Sequence, residues 1–485
     1  MPERRVVTYR AADEAYFEQR GLRRFAGVWS LWALGVGAVI SGDFFGWNYG
    51  LLSGGFGGLL IATGIVAVMY VGLCFSIAEL SPALPHTGGA YSFGRTAFGP
   101  WGGFLTGLAE SIEYVLTPAV IVVGIGGYVG TILETGLGLA VPAPLLWAVF
   151  YTIFVGVNIA GVELTFRVTV AITALALAVL AVFWIGALPH FSWEAALAVE
   201  PSPGHTRWLP NGWQGVTACL PFAVWFYLAI EQLPLAAEES HDPKRDMPRG
   251  LLWGLATLIV ASLLTLFLNA GIAPGAAVVG ASEEPLFLAF RTIFGPGAGA
   301  TGLSLAAVAG LVASFHAIIY AYGRNIYSLS RAGYFPTWMS RTHPTRKTPH
   351  VALVVGAVSG YVVALLIEYG QAFLGDVPVG GVLLNMAVFG AVIAYLMQMA
   401  AYLKIKGLDG LERPYLSPLG RAGAIVAAAI AALTLVFLFV NEDYRPGIYG
   451  VAGWYALSVV YFAVYARHRM ILSPEEEFAE QAAGR

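Results

Sequence analysis

The sequence predicts an all-α membrane protein of twelve transmembrane helices. Breaks in helices 1 and 6 fit an arrangement of ten of them as two inverted five-helix repeats, with two more following. Three observations lead there. Of 485 residues, 58% are hydrophobic and 11% charged, with a mean hydropathy of +0.72, whereas a soluble domain carries about 25% charged residues. Apolar windows of about 20 residues, long enough to cross a bilayer core as a helix, recur along the whole chain. Two acids, Asp43 and Glu231, stand inside such windows, where a charge costs about 2.5–3.5 kcal/mol and calls for a partner or a polar cavity. This composition excludes a large soluble enzyme.

The windows lie near 27–53, 57–80, 100–132, 142–161, 165–189, 213–238, 250–274, 299–325, 350–369, 379–403, 422–440 and 447–466. They are apolar throughout rather than alternating, which favours a helical bundle over a barrel. The 59 glycines are explained mostly by close helix approach in lipid. Residues 1–26 form an N-terminal segment. The core runs over 27–404, with repeats at about 27–190 and 213–404. Helices 11 and 12 occupy 405–468, and a tail covers 469–485. The arginine-rich start precedes an apolar run too long for a signal peptide, so no cleavage is expected. All but Arg207, Arg291 and Arg445 of the 26 lysines and arginines fall on the side of both termini. That bias makes both termini cytoplasmic. The two cysteines, Cys74 and Cys219, sit in apolar context and imply neither a disulfide nor a metal site.

The breaks fall at Ile40-Ser41-Gly42-Asp43-Phe44 and at Tyr227-Leu228-Ala229-Ile230-Glu231. Irregular backbone at membrane depth survives only where protein buries it or a cavity hydrates it. Five helices per repeat is an odd number, so the second copy starts from the opposite side. Its break would then meet the first at mid-membrane.

Three motifs lie on the side of the termini. Pro85-His86-Thr87-Gly88-Gly89-Ala90-Tyr91 follows Ala78-Glu79-Leu80. Glu238-Glu239-Ser240-His241-Asp242-Pro243-Lys244-Arg245-Asp246-Met247-Pro248 closes the sixth window, and Ser330-Arg331-Ala332-Gly333-Tyr334-Phe335-Pro336 closes the eighth. With these motifs the chain resembles the amino acid–polyamine–organocation (APC) superfamily over nearly its whole length. The closer resemblance is to the bacterial ethanolamine permeases. It rests on Val39-Ile40-Ser41-Gly42-Asp43-Phe44-Phe45-Gly46-Trp47-Asn48-Tyr49-Gly50 and on Phe222-Ala223-Val224-Trp225-Phe226-Tyr227-Leu228-Ala229-Ile230-Glu231. Those permeases usually carry a glutamate where Asp43 stands. The resemblance implies an APC/LeuT-type inverted-repeat fold and import of ethanolamine or a related small primary amine by alternating access. An amino acid or polyamine permease is the alternative.

Charge agrees with an amine. Amino-acid members of that superfamily receive the substrate carboxylate on bare N–H groups of a glycine-rich break, at a half-helix N-terminus. Here Asp43 takes the place of the last glycine and would repel a carboxylate, while an ammonium without one would be drawn in. Carbonyls ending the half-helices, around Val39, Ile40 and Tyr227, suit the same cation. The expected substrate site comprises Ile40, Ser41, Gly42, Asp43 and Phe44 with Trp225, Tyr227, Leu228 and Glu231. Glu110, Glu113 and Tyr114 join it from the third window. Asp43 paired with a buried cation is the competing reading, and Glu231 reads equally as a structural acceptor. The aromatic residues would face an ammonium or simply pack.

Glu110 and Glu113 share a helix face and either hold a proton between them or are hydrogen-bonded between helices. His316 and Tyr320 lie one turn apart and read as gating groups or as a helix–helix hydrogen bond. Ser314 is a candidate sodium ligand. No lysine occurs between Val168 and Val182, where some proton-linked members of the superfamily carry one. Coupling to H+ or Na+, or uniport driven by the membrane potential, stays open, and no other cofactor is expected. No motif of a metalloprotease, serine hydrolase or phosphate-binding loop is found, so an enzyme and a primary pump are disfavoured. No pore motif suggests a channel. The expected setting is a bacterial cytoplasmic (inner) membrane, multi-pass, as monomer or homodimer, with the bilayer as neighbour and no nucleic acid.

Overall fold

A computed structural model of the chain describes residues 7–282, 284–295, 298–370, 379–408, 410–440, 442 and 445–483. Arg4, Arg5 and Arg485, counted above for orientation, lie outside the described residues. The chain is helical almost throughout. Its long helices are α1 (Val28–Val39), α2 (the single turn Ser41–Phe44), α3 (Gly50–Ala83), α4 (Gly89–Leu137), α5 (Ala143–Ala160), α6 (Val162–Ala187) and α7 (Gly212–Val224). They continue as α8 (Pro243–Ala270), α9 (Ala298–Arg331), α10 (His350–Tyr369), α11 (Val379–Ile405), α12 (Gly420–Val440), α13 (Arg445–Val464) and α14 (Pro474–Ala483).

Among the described residues, 9 helices are long and apolar enough to cross a membrane. They coincide with the expected spans two to five, seven, and nine to twelve. Of the other three, the first is split into α1 and α2. The sixth is α7 followed by a 3-10 run, Ile230–Glu239. The eighth lies within the 34-residue α9. Two junctions are set by glycines that adopt positive φ. Gly55 (φ 66°) separates the turn after the first break from the body of α3, and Gly99 (φ 75°) divides a short approach helix from the body of α4. Large apolar side chains such as Trp253, Leu457 and Val464 point outward, as a lipid-facing surface requires.

The core is built around α1, which packs against α8, α6 and α9. On the face bearing the termini, three of the arginines counted for orientation are buried inside helices: Arg95 in α4, and Arg324 and Arg331 in α9. Each has a carboxylate to meet. Arg324 binds Glu239 at 2.9 Å with both side chains fully buried, and Arg95 binds Glu476 at 2.6 Å. Arg331 is held between Glu238 and Glu475. A two-stranded parallel ladder, β1 (Tyr9–Arg10) with β2 (Met470–Ile471), joins the two ends of the chain on this face.

Removing one member of a buried pair strands the other, at about 3–5 kcal/mol. Arg324→Met should therefore lower the melting temperature of the purified protein sharply. The double variant with Glu239→Gln should recover part of the loss, and equal melting of the single and double variants would contradict the pairing.

Candidate functional site

The first break is made by a side chain from another helix. In a continuous helix the Ser41 N–H would donate to the Gly37 carbonyl. Instead the Ser314 hydroxyl of α9 donates to the Gly37 carbonyl at 2.9 Å and accepts from the Ser41 N–H at 2.9 Å. Insertion of a hydroxyl into the ladder is an established cause of a kink. It also occupies Ser314, whose proton and one lone pair are spent on the backbone.

The Ser41-Gly42-Asp43 stretch is not itself unwound, as the sequence suggested. It forms one helical turn, with Asp43 N–H donating to the Ile40 carbonyl at 3.0 Å and Phe45 N–H to that of Ser41 at 3.1 Å. The chain opens one step later, where Phe45 is extended and Gly46 adopts φ 92°. The side chain of Asn48 accepts from the Gly46 N–H at 3.1 Å and closes the turn.

The second break follows Val224. Leu228 N–H still reaches the Val224 carbonyl at 2.9 Å, but Ala229 then takes a left-handed conformation, φ 80° and ψ 3°. For a residue with a Cβ that costs about 1–2 kcal/mol, and such strain concentrates at functional positions. The two breaks touch at Gly42. A Cβ there would lie 1.9 Å from the Trp225 carbonyl oxygen, so glycine is needed for close approach, not for unwinding.

Asp43 sits beside this crossing, fully buried. Neither carboxyl oxygen closes a hydrogen bond of good geometry. Thr265 of α8 is a polar neighbour, and its hydroxyl accepts from the Trp184 indole N–H at 3.1 Å. The Tyr227 ring is the next polar neighbour, its hydroxyl paired with Ser262 at 2.8 Å. No arginine or lysine forms an ion pair with Asp43 among the described residues. Aromatic rings surround the crossing: Trp47 stacks on Phe226 at 5.4 Å, and Phe45 meets Trp225 at 6.4 Å. Phe44 packs on Gly310 of α9. Ile40 and Leu228 are buried between the breaks.

A second acidic group lies on the far side of Tyr227. Tyr70 contacts the Tyr227 ring at 5.2 Å, and its hydroxyl pairs with that of Tyr395 at 2.8 Å. The buried carboxyls of Glu113 and Glu231 face each other and Tyr395. Glu113 thus has Glu231 as well as Glu110 for a charged neighbour, and none of the Glu113 and Glu231 carboxyl oxygens closes a hydrogen bond of good geometry. Glu110 accepts from Tyr114 and from Asn325, each at 3.3 Å.

His316 and Tyr320 share a face of α9 but go to different partners. The His316 ring bridges Asn158 and the Thr165 carbonyl, each at 3.2 Å. Those partners fit a neutral ring with Nε2–H donating to Thr165 and Nδ1 accepting from Asn158, which leaves no nitrogen free. The Tyr320 hydroxyl donates to Glu239, and the Arg324 guanidinium lies 3.6 Å from its ring centre. Thr265, Tyr70, Tyr395 and Ser262 were not singled out from the sequence. Scattered hydroxyls in apolar helices carry no local signal, and only their pairing across helices identifies them.

The amino acid permease family matches residues 27–464 of the chain. An uncharacterised transporter of Rhizobium meliloti (strain 1021) is 31% identical over 69% of this chain and 70% of its own length. The branched-chain amino acid permease BcaP of Bacillus subtilis is 24% identical, over 93% of this chain and 94% of that protein. The methylthioribose transporter of the same organism is 26% identical, over 72% and 77%.

Overpacking a tight contact costs about 1–3 kcal/mol or more. Gly42→Ala should push the two breaks apart and cut transport strongly, while Gly64→Ala, where nothing lies within 4 Å of the added carbon, should leave transport intact. Equal activity of the two variants in reconstituted vesicles would refute the close crossing.

Proposed function

We propose that this chain, which belongs to the amino acid permease family, is a secondary transporter importing ethanolamine or a closely related small primary amine across a bacterial cytoplasmic membrane by alternating access. The observation that carries the reading is Asp43, a buried acid with no cationic partner among the described residues, placed where the two broken segments cross. A carboxylate in that position requires a counter-ion, and an incoming ammonium supplies one. Thr265 and the rings around Trp225 and Trp47 add a hydrogen bond and π-faces, the latter about 0.5–2 kcal/mol each for a cation.

The same geometry weighs against an amino acid. The N–H groups of Ser41, Asp43, Phe45 and Gly46 already have acceptors within the protein, so they are not free to receive a substrate carboxylate. Asp43 would also stand against it. The fold in this reading is the twelve-helix, twofold inverted arrangement, with the Gly42–Trp225 crossing as the contact between the repeats and both termini cytoplasmic.

Two facing carboxyls, Glu113 and Glu231, offer a holding place for a single proton and are the coupling candidates in preference to Ser314 and His316, whose hydrogen bonds are spent on neighbouring helices. They also support a second reading. A diamine would place one ammonium at Asp43 and the other at this pair across Tyr227.

Asp43→Asn should abolish stabilisation of the purified protein by ethanolamine in a thermal-shift screen, and Asp43→Glu should retain it in weakened form. Unchanged affinity in Asp43→Asn, or stabilisation by alanine or serine instead of ethanolamine, would reject the assignment. A larger shift with putrescine than with ethanolamine would select the diamine. Replacing Glu113 and Glu231 by Gln should flatten the pH profile of counterflow in proteoliposomes, and an unaltered profile would remove the pair from coupling.

A further inference from the structure

The acidic helix α14 turns one side into the protein and leaves Glu477, Glu480 and Gln481 exposed on the other. Glu475 and Glu476 are fully buried in its first turn, where the helix dipole favours anions. The Glu476 carboxylate accepts four donors: Arg95 at 2.6 Å, Tyr9 at 2.7 Å, Tyr334 at 2.9 Å and Tyr91 at 3.1 Å. Glu475 binds Arg331, which also holds Glu238, and Glu238 in turn accepts from the Thr87 N–H at 3.1 Å. Phe478 sets its ring 5.5 Å from His86. One short helix thereby ties together the Pro85–Tyr91 turn, the start of α4, the end of the sixth segment and the end of α9.

The approach to α14 is fitted as closely. Ile471 N–H donates to the Ala332 carbonyl at 2.9 Å. Gly333, at φ 87°, leaves no room for a Cβ, which would lie 2.7 Å from the Arg469 carbonyl. Buried ion pairs add little net stability, and their best-attested role is to specify one arrangement over another.

We propose that α14 is a strap that holds the terminus-bearing face closed. Glu475 and Glu476 are its fasteners on Arg331 and Arg95, and opening of that face requires their release. The inference rests on the transporter reading but not on the identity of the substrate.

Hydrogen exchange on the full-length protein in nanodiscs tests the fasteners. The Glu475→Gln/Glu476→Gln variant should exchange faster at residues 85–95 and 328–336, by about five-fold or more if the strap is coupled to that face in the usual range. Unchanged exchange overturns the proposal. Should the double variant fail to fold, Glu480→Gln provides a milder release, because Glu480 is a 55% exposed partner of Arg95 at 2.6 Å. It is read in the same way.

A second arm fixes the strap in place. His86→Cys/Phe478→Cys, bridged by a short cleavable dithiol reagent in a background lacking Cys74 and Cys219, should lose ethanolamine uptake and regain it on reduction. Uptake by the bridged protein at the unbridged rate overturns the strap. If the unbridged protein takes up no ethanolamine, the substrate reading fails while the exchange arm still decides the strap.

Discussion

The contact of Gly42 with the Trp225 carbonyl is the constraint on which the site depends. Two interrupted segments can meet backbone to backbone only where neither presents a side chain, and their meeting fixes where Asp43, Tyr227 and the surrounding rings stand. Ser314 supports that geometry from a third helix. By substituting for one rung between Gly37 and Ser41, it bends the first segment without leaving its polar groups unmet. The left-handed Ala229 does the corresponding bending in the second segment through strain.

Much of this was legible in the sequence. Continuous apolar windows located the helices, because in lipid the backbone must satisfy itself and length is set by the bilayer. An acid inside such a window is conspicuous, which is why Asp43, Glu231 and the Glu110/Glu113 pair stood out. Hydrogen-bond partners were not legible. Spacing along α4 placed Glu110 beside Glu113, but it did not show that α9 brings Asn325 to Glu110 or that Glu231 approaches Glu113 from the sixth segment. The exact point of unwinding was also hidden. Ser-Gly-Asp looks like a breaker, but it keeps one helical turn of its own and the chain opens at Phe45 and Gly46, while the kink just before it comes from a hydroxyl 273 residues away.

The charged residues divide into two populations that local sequence does not separate. Asp43 is buried without a protein cation among the described residues, whereas Glu239, Glu238, Glu475 and Glu476 are each matched to an arginine. Arg95 and Arg331 lie at or near motif turns and Arg324 at the end of the eighth apolar window, where nothing local in the sequence marks them as buried. Their burial follows from acids far along the chain, two of them in its last described helix. Matched charges hold elements together on one face. Among the described residues, Asp43 shares its lack of a protein cation with Glu110, Glu113 and Glu231, all of them in the interior of the bundle.

The hydrogen bond from Trp184 to Thr265 has an optical consequence. Trp184 is half-buried on α6, and its indole N–H donates to the hydroxyl of Thr265, a neighbour of Asp43. A change of charge at that carboxylate would alter the polarity felt by the indole. The protein thereby carries an indole one hydroxyl away from its buried acid, as one of 13 tryptophans that contribute to its emission.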